Sequence, residues 1–267
     1  MKTGGVSYYQ YAFLDSGSGG LPYLAQLKTD APNASCVYLA DTAHFPYGEK
    51  TRDEVVRYAI DSVGILLNHF RPEVIIIACN TISVAALDVL RERYSLPFVG
   101  TVPAIKLGAA ASLNRKIGLL ATSRTVNDPY TDQLIAQFAA DCKVVKIGDS
   151  TLVSRIETEL VSASHEERLQ AVRPSIEQFK TAGVDTIILA CTHFLHVIDE
   201  IHEMAGPDIR IIDSRDGVIH QALRLVPPRN FHHGEKVCYI TGSVSDEAEA
   251  RYTTLTEKFG ITWGGVI

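Results

Sequence analysis

Two cysteines stand out by what surrounds them. Val74-Ile75-Ile76-Ile77-Ala78-Cys79-Asn80-Thr81 is matched far downstream by Thr186-Ile187-Ile188-Leu189-Ala190-Cys191-Thr192-His193. Each is a run of β-branched and aliphatic residues that ends in Ala-Cys and then turns polar. A thiolate is both base and nucleophile, and a helix N-terminus or a neighbouring cation lowers the ordinary thiol pKa of about 8.5. Two thiols on opposite faces of one carbon could invert a stereocentre beside a carboxylate. One would remove the hydrogen and the other return one to the far face, with no metal or organic cofactor. Asp15 and His193 are candidate partners in that acid–base work.

The apolar runs dictate how such thiols are positioned. A short aliphatic run followed by a helical pattern predicts a strand buried on both faces of a parallel sheet. Residues just past the carboxyl end of such a strand point into the crevice where open α/β sheets hold ligands. The repeated phrase therefore predicts two equivalent crevices with one cysteine each, and one small molecule between them.

The remaining chain supplies the scaffold. Tyr11–Asp15 reads as a strand broken by Ser16-Gly17-Ser18-Gly19-Gly20, with a helix starting near Leu21-Pro22. Such a turn exposes backbone N–H groups that suit a carboxylate. Its glycine spacing is not the dinucleotide fingerprint, and a plain turn with a capping aspartate is the alternative reading. Cys36–Ala40 is a second strand, and Asp41–Gly48 is a loop rich in turn residues and aromatics. Thr51–Phe70 carries apolar residues at helical spacing, and Ile82–Tyr94 is a further helix. After a short strand within 97–103 the order restarts. Strands are expected at 116–122, 144–147, 209–213 and 236–242, helices at 129–140, 166–182 and 247–259, and a polar turn at Ser123–Thr125.

Alternating strands and helices predict an α/β fold: two similar domains, each with a mainly parallel sheet flanked by helices, and the active site at the domain interface. Residues 1–99 with 215–267 form the expected first domain, carrying Asp15 and Cys79. Residues 100–214 form the second, carrying Glu157, Cys191 and His193.

Bulk properties exclude other classes. The 267 residues are 46% hydrophobic and 21% charged, as in an ordinary soluble protein. A net charge of -6 argues against a nucleic-acid partner, which would need a basic face. No apolar stretch reaches the roughly 18 residues of a membrane span, and Met1–Gly5 lacks an apolar signal core. Five cysteines, an odd and scattered set, fit reduced thiols in the cytoplasm better than a disulfide framework. Cys36 and Cys238 read as core and Cys142 as incidental. Cys191 and His193 offer two metal ligands, but no second cluster completes a site. His44, His69, His165, His196, His202, His220, His232 and His233 read as surface or loop residues without a comparable partner.

Taken together, these segments resemble the glutamate racemases, a cofactor-independent group within the aspartate/glutamate racemase superfamily. The resemblance rests on six fragments in the family's order. They are Phe13–Leu21, Ala40-Asp41-Thr42 with Pro46-Tyr47-Gly48, Ala78–Thr81, Val99–Lys106, Gly118–Thr122 and Ala190–Phe194. It implies two acid/base thiols, Cys79 and Cys191, acting on opposite faces of the α-carbon. Asp15 would assist on the Cys79 side, and His193 with Glu157 on the Cys191 side. Asp15, Ser16, Pro46, Tyr47, Gly48, Asn80, Thr81, Thr125 and Thr192 would hold the amino acid. The implied role is supply of D-glutamate for bacterial peptidoglycan, in the cytoplasm. A homodimer is compatible with the resemblance, although the sequence itself does not set the oligomeric state. The sequence departs from the family where Leu195-His196 replaces a usual proline, where Ile82 replaces a small residue, and in the loosely matching stretch around Glu157.

Three other readings stay open on residues alone. One is a racemase for aspartate or another acidic substrate. Another is a thiol hydrolase with a single cysteine nucleophile and His193 as base. The last is a silent binding protein with a cleft between two domains.

Overall fold

The computed structural model describes residues 8–229, 234–242 and 245–267. His232, His233 and the N-terminal Met1–Gly5 lie outside the described residues. In chain order the elements are β1 (Tyr11–Asp15), α1 (Leu21–Asp30), β2 (Cys36–Ala40), α2 (Arg52–Phe70), β3 (Val74–Ile77), α3 (Asn80–Arg93) and β4 (Phe98–Gly100). There follow α4 (Ile105–Ala111), β5 (Lys116–Ala121), α5 (Ser123–Asn127), α6 (Pro129–Phe138), β6 (Lys143–Gly148), α7 (Ser150–Arg155) and α8 (His165–Ala182). The chain continues through β7 (Thr186–Ala190), α9 (Ile198–Ala205), β8 (Arg210–Ile212), α10 (Arg215–Leu225), β9 (Lys236–Ile240), α11 (Asp246–Phe259) and β10 (Thr262–Val266).

The described residues fall into two compact units. The first takes the chain up to Tyr47, then Thr51–Thr101, and from Arg215 onward. The second takes Gly48–Lys50 and Val102–Ser214. The first unit's sheet has the order β10-β9-β2-β1-β3-β4, and every pairing in it is parallel. From β1 the chain steps one way to β2, then crosses back over β1 to β3. That reversal makes the β1/β3 boundary the switch point at which open α/β sheets bind ligands. The second sheet, β6-β5-β7-β8, is also wholly parallel and repeats the pattern, with its switch point between β5 and β7.

Burial on both faces explains the unbroken apolar runs. Ala12, Leu14, Val37, Leu39, Ile75 and Ile77 face one way and pack with Val55, Ala59, Val63 and Leu66 of α2 and Ile82, Ala86 and Leu90 of α3. Intervening residues such as Tyr11, Phe13, Tyr38 and Ile76 are equally buried on the opposite side of the sheet. In the second unit Ile117, Leu119, Ala121, Ile188 and Ala190 pack with Ile105, Val126 and Leu134. Behind that sheet Gly118 lets the Phe179 ring of α8 come so near that an added Cβ would lie 2.6 Å from it. Helix starts follow local chemistry. Thr51 with Glu54, and Ser164 with Glu167, form reciprocal capping boxes at α2 and α8.

Four departures from the sequence reading have local causes. The Ser123–Thr125 turn is the start of α5, because the Thr122 side chain accepts from Thr125 N–H and caps a helical turn. α3 begins at Asn80 rather than Ile82, with Cys79 itself as its N-cap. The Asp41–Gly48 loop contains two 3₁₀ turns, Thr42–His44 and Tyr47–Glu49. α4, α10 and β10 were not anticipated; α4 and α10 each carry a glycine that weakens the helical signal, and β10 is a half-exposed strand with two glycines and a register shift. No helix among the described residues is long and apolar enough to cross a membrane.

Candidate active site

Each unit brings one sequence-predicted thiol to its switch point. In the first, β1 and β3 run side by side with Leu14 opposite Ile77, so Asp15 and Ala78-Cys79 leave the sheet at the same edge. Cys79 ends the strand in an extended conformation, φ −143° and ψ 119°, and is 5% exposed. Cys191 does the same after β7, with φ −144° and ψ 132°, and is 7% exposed. It caps a 3₁₀ segment, Thr192–Val197, where Cys79 caps a full α-helix. Both thiols thus stand at a strand-to-helix junction, as expected from the repeat. None of the five cysteines forms a disulfide, and Cys36 and Cys238 are core residues.

Around Cys79, Asp15 is wholly buried, and its Oδ1 accepts from Ser16 N–H at 2.6 Å. The Gly17–Gly20 turn is held by Tyr38, whose hydroxyl donates to Gly17 O at 2.7 Å and accepts from Gly20 N–H at 3.0 Å. The aspartate cap of α1 offered by the alternative reading of this turn is not formed. Gly20 is the N-cap, and an added Cβ there would meet Ala78 Cβ at 2.6 Å. The glycine is required for the turn to lie this close to the cysteine-bearing strand end. Asn80 and Thr81 occupy the first turn of α3, both buried. Asn80 Nδ2 is a buried donor with no hydrogen-bond partner. Tyr47 is 1% exposed and donates its hydroxyl proton to Asp41. Burial first, then the Asp41 carboxylate and the nearby Cys79, push that phenol far above its ordinary range.

Around Cys191 the neighbours form a line. Cys191 Sγ lies 3.9 Å from His193 Nδ1, and His193 Nε2 lies 3.0 Å from Glu157 Oε2. His193 is 2% and Glu157 3% exposed. Burial alone would discharge the imidazole, but its bonds to Cys191 and Glu157 outweigh that and raise its pKa well above 6.5. His193 thus lies between Cys191 and Glu157, with the Glu157 carboxylate held against its far nitrogen. Glu157 reaches this position from a single π-helical segment, Ile156–Leu160, which continues α7. Such one-turn irregularities re-aim side chains. Thr192 is buried beside them. Thr125 lies in the Thr122–Thr125 cap, where the two hydroxyls are 3.0 Å apart. Gly48 rests on the same cap, and an added Cβ would meet Thr122 Cβ at 2.8 Å.

The predicted residues therefore gather as two sets: Asp15, Ser16, Cys79, Asn80, Thr81, Pro46 and Tyr47 in one unit, and Gly48, Thr125, Glu157, Cys191, Thr192 and His193 in the other. Asp41 and Thr241 were not singled out for a role, though both directly follow a strand at the same sheet edge as Asp15. His44 is a correction. Read as unpartnered, it bonds Asp41 Oδ2 at 2.8 Å and stacks on Tyr58 with ring centroids 3.7 Å apart. His165 is exposed as expected, yet pairs with Glu200 at 3.2 Å and Glu203 at 2.9 Å. No group of three or more His, Cys, Asp or Glu able to hold a metal occurs among the described residues.

Comparison with known proteins points to one family. The Treponema pallidum (strain Nichols) glutamate racemase is 41% identical over 259 residues, covering 97% of each chain. The Shewanella loihica glutamate racemase is 36% identical over 240 residues, covering 90% of this chain and 85% of the relative. Among solved structures, Escherichia coli glutamate racemase in complex with L-glutamate and the activator UDP-MurNAc-ala superposes with a TM-score of 0.86 at 27% identity, covering 97% of this chain and 98% of that one. A family model described as Asp/Glu/Hydantoin racemase matches residues 23–222. With one strand-end thiol at the switch point of each parallel sheet and this extent of similarity, the chain belongs to the Asp/Glu/Hydantoin racemase family.

Proposed function

We propose that this chain interconverts L- and D-glutamate by proton transfer at the α-carbon, with Cys79 and Cys191 as the two acid/base groups. The observation that carries the reading is the duplicated placement of a buried thiol at the switch point of each sheet, in nearly the same backbone conformation. A chemistry that needs one nucleophile has no use for the second.

In one direction a thiolate takes the α-hydrogen as a proton and becomes a thiol. The C–H pair is left on the α-carbon, and the thiol on the opposite face gives its proton to that carbon and becomes a thiolate. The next turnover in reverse restores the first state. His193, hydrogen-bonded to Cys191 and steadied by Glu157, serves one thiol. Asp15 serves the other. Ser16, Pro46, Tyr47, Gly48, Asn80, Thr81, Thr125 and Thr192 hold the carboxylates and the ammonium. The α-hydrogen is a weak acid, so fixed hydrogen bonds to the carboxylate in a dry pocket must supply much of the stabilisation. D-Glutamate formed in this way would supply bacterial peptidoglycan synthesis in the cytoplasm.

Incubation of the purified protein, free of pyridoxal phosphate, with L- or D-glutamate in heavy water tests the proposal. Optical rotation should decay to zero while deuterium enters the α-position of the product. Binding without α-exchange would leave a silent binding protein. A hydrolase using Cys191 and His193 alone would tolerate Cys79→Ser, whereas two-base inversion does not.

A further inference from the structure

We infer that Asp41 is a positioning residue for the reaction, acting through Tyr47; the inference rests on the racemase reading above. Asp41 directly follows β2, next to the end of β1, and its N–H donates to the Asp15 carbonyl at 2.8 Å. It is a carboxylate only 2% exposed. Burial of such a charge persists only where donors surround it. Three converge here, two from the loop that follows Asp41 and one from the residue after β9. Tyr47 O–H donates to Oδ2, Thr241 O–H to Oδ1 at 2.5 Å, and His44 Nδ1 lies 2.8 Å from Oδ2. Thr241 closes the arrangement by accepting from Ala43 N–H at 3.2 Å, while Thr42 O–H donates to its carbonyl at 2.6 Å.

The consequence falls on Tyr47. Its ring is buried, its one hydroxyl proton is committed to Asp41, and Cys79 is near enough to act on it electrostatically. With that proton committed, the segment ending in Tyr47 is pinned to the sheet edge that carries Asp15 and Cys79. A charge-assisted bond does this better than a neutral one, being roughly twice as strong. Asp41 touches no reacting atom in this arrangement. It fixes where a substrate-holding residue sits, so its loss should weaken substrate binding more than the proton transfer.

The test is steady-state racemisation by the full-length protein, wild type against Asp41→Asn, Tyr47→Phe and the double variant. Asp41→Asn keeps the shape and removes the charge, and Tyr47→Phe removes only the hydroxyl. KM for glutamate should rise about ten-fold or more in each single variant, the scale of one lost charged hydrogen bond, with kcat within about three-fold. The double variant should be no worse than the poorer single one, because both break one link. A merely structural Asp41 would lower Tm and leave KM unchanged, which overturns the inference, as does a fall in kcat at constant KM or full additivity. If Asp41→Asn does not fold, Tyr47→Phe and Thr241→Val carry the same comparison. Absence of α-exchange in the wild type would sink the racemase reading itself, a distinct result from active wild type with unaffected variants.

Discussion

The crevice at Cys79 and the crevice at Cys191 share a sheet topology and a backbone conformation but almost none of their neighbours. Cys79 stands with a buried carboxylate from the adjacent strand, a helix of 14 residues beginning at the next residue, and a phenol locked to Asp41. Cys191 stands with an imidazole two residues on and a carboxylate 36 residues from that imidazole. The repeated fold supplies equivalent places, and the side chains around each place set its acid–base character. A duplicated scaffold can thus place a thiol at two equivalent positions without duplicating the groups beside it.

The largest effect expected from breaking this comparison is at the thiols. Cys79→Ser and Cys191→Ser should each lower racemisation by about 10³-fold, since a positioned acid or base is worth 10²–10⁴-fold. Polarimetry of the variants checks this, and retention of most activity in either one would reduce the site to a single-base design.

Next come the groups proposed to assist the thiols. Asp15→Asn and Glu157→Gln should each cost about 10–100-fold in kcat. They should differ in pH behaviour, because Glu157, together with Cys191, raises the pKa of His193 and Asp15 does not contribute to it. With Glu157→Gln the His193 imidazolium should deprotonate at lower pH, as read by NMR of the ring. Identical histidine titrations in wild type and Glu157→Gln would show that the line from Glu157 to Cys191 does not operate.

A smaller effect separates the two crevices structurally. Gly20→Ala should destabilise by about 1–3 kcal/mol, the usual cost of overpacking. Its new methyl would meet Ala78 Cβ at 2.6 Å and Ala78 O at 3.0 Å, atoms that cannot swing aside. Gly118→Ala meets only the Phe179 ring, which can shift, and should cost less. Urea denaturation of the two variants ranks them, and the reverse order would mean that the β1 turn is less rigidly seated than its hydrogen bonds imply.

The smallest expected effect is a linkage between pH and stability at His193. Its pKa is raised in the folded state, so its contribution to stability is complete below about pH 6.5, the ordinary value. That contribution fades as pH rises through the higher folded value. The Tm gap between wild type and His193→Gln should therefore narrow on going from pH 6 toward alkaline pH. A gap independent of pH would place the ring's neutral form in the native state.

Much of this architecture is legible in the amino-acid sequence. Val74–Ile77 and Thr186–Ala190 are strands because β-branched and aliphatic residues suit a pleated, doubly covered sheet, and the cysteines end them where the apolar pattern stops. The helices at 51–70 and 166–182 were set by spacing and by capping residues within a few positions. The signals failed where short-range polar contacts decide local structure. His44 reads as a loop residue until its bond to Asp41, three residues earlier, is seen, and Ser123–Thr125 looks like a turn until its own cap turns it into a helix.

Local residue order determined the strand and helix inventory and the two thiols at strand ends, because each depends on neighbours within about one helical turn or a strand's length. Only the tertiary structure decided which strands adjoin, and hence that Asp15 leaves the sheet next to Cys79, that Glu157 meets His193, and that Asp41 gathers Tyr47 and Thr241. Those pairings join residues separated by 6 to 200 positions. They arise from the order in which parallel strands are laid down, a property that no periodicity along the chain encodes.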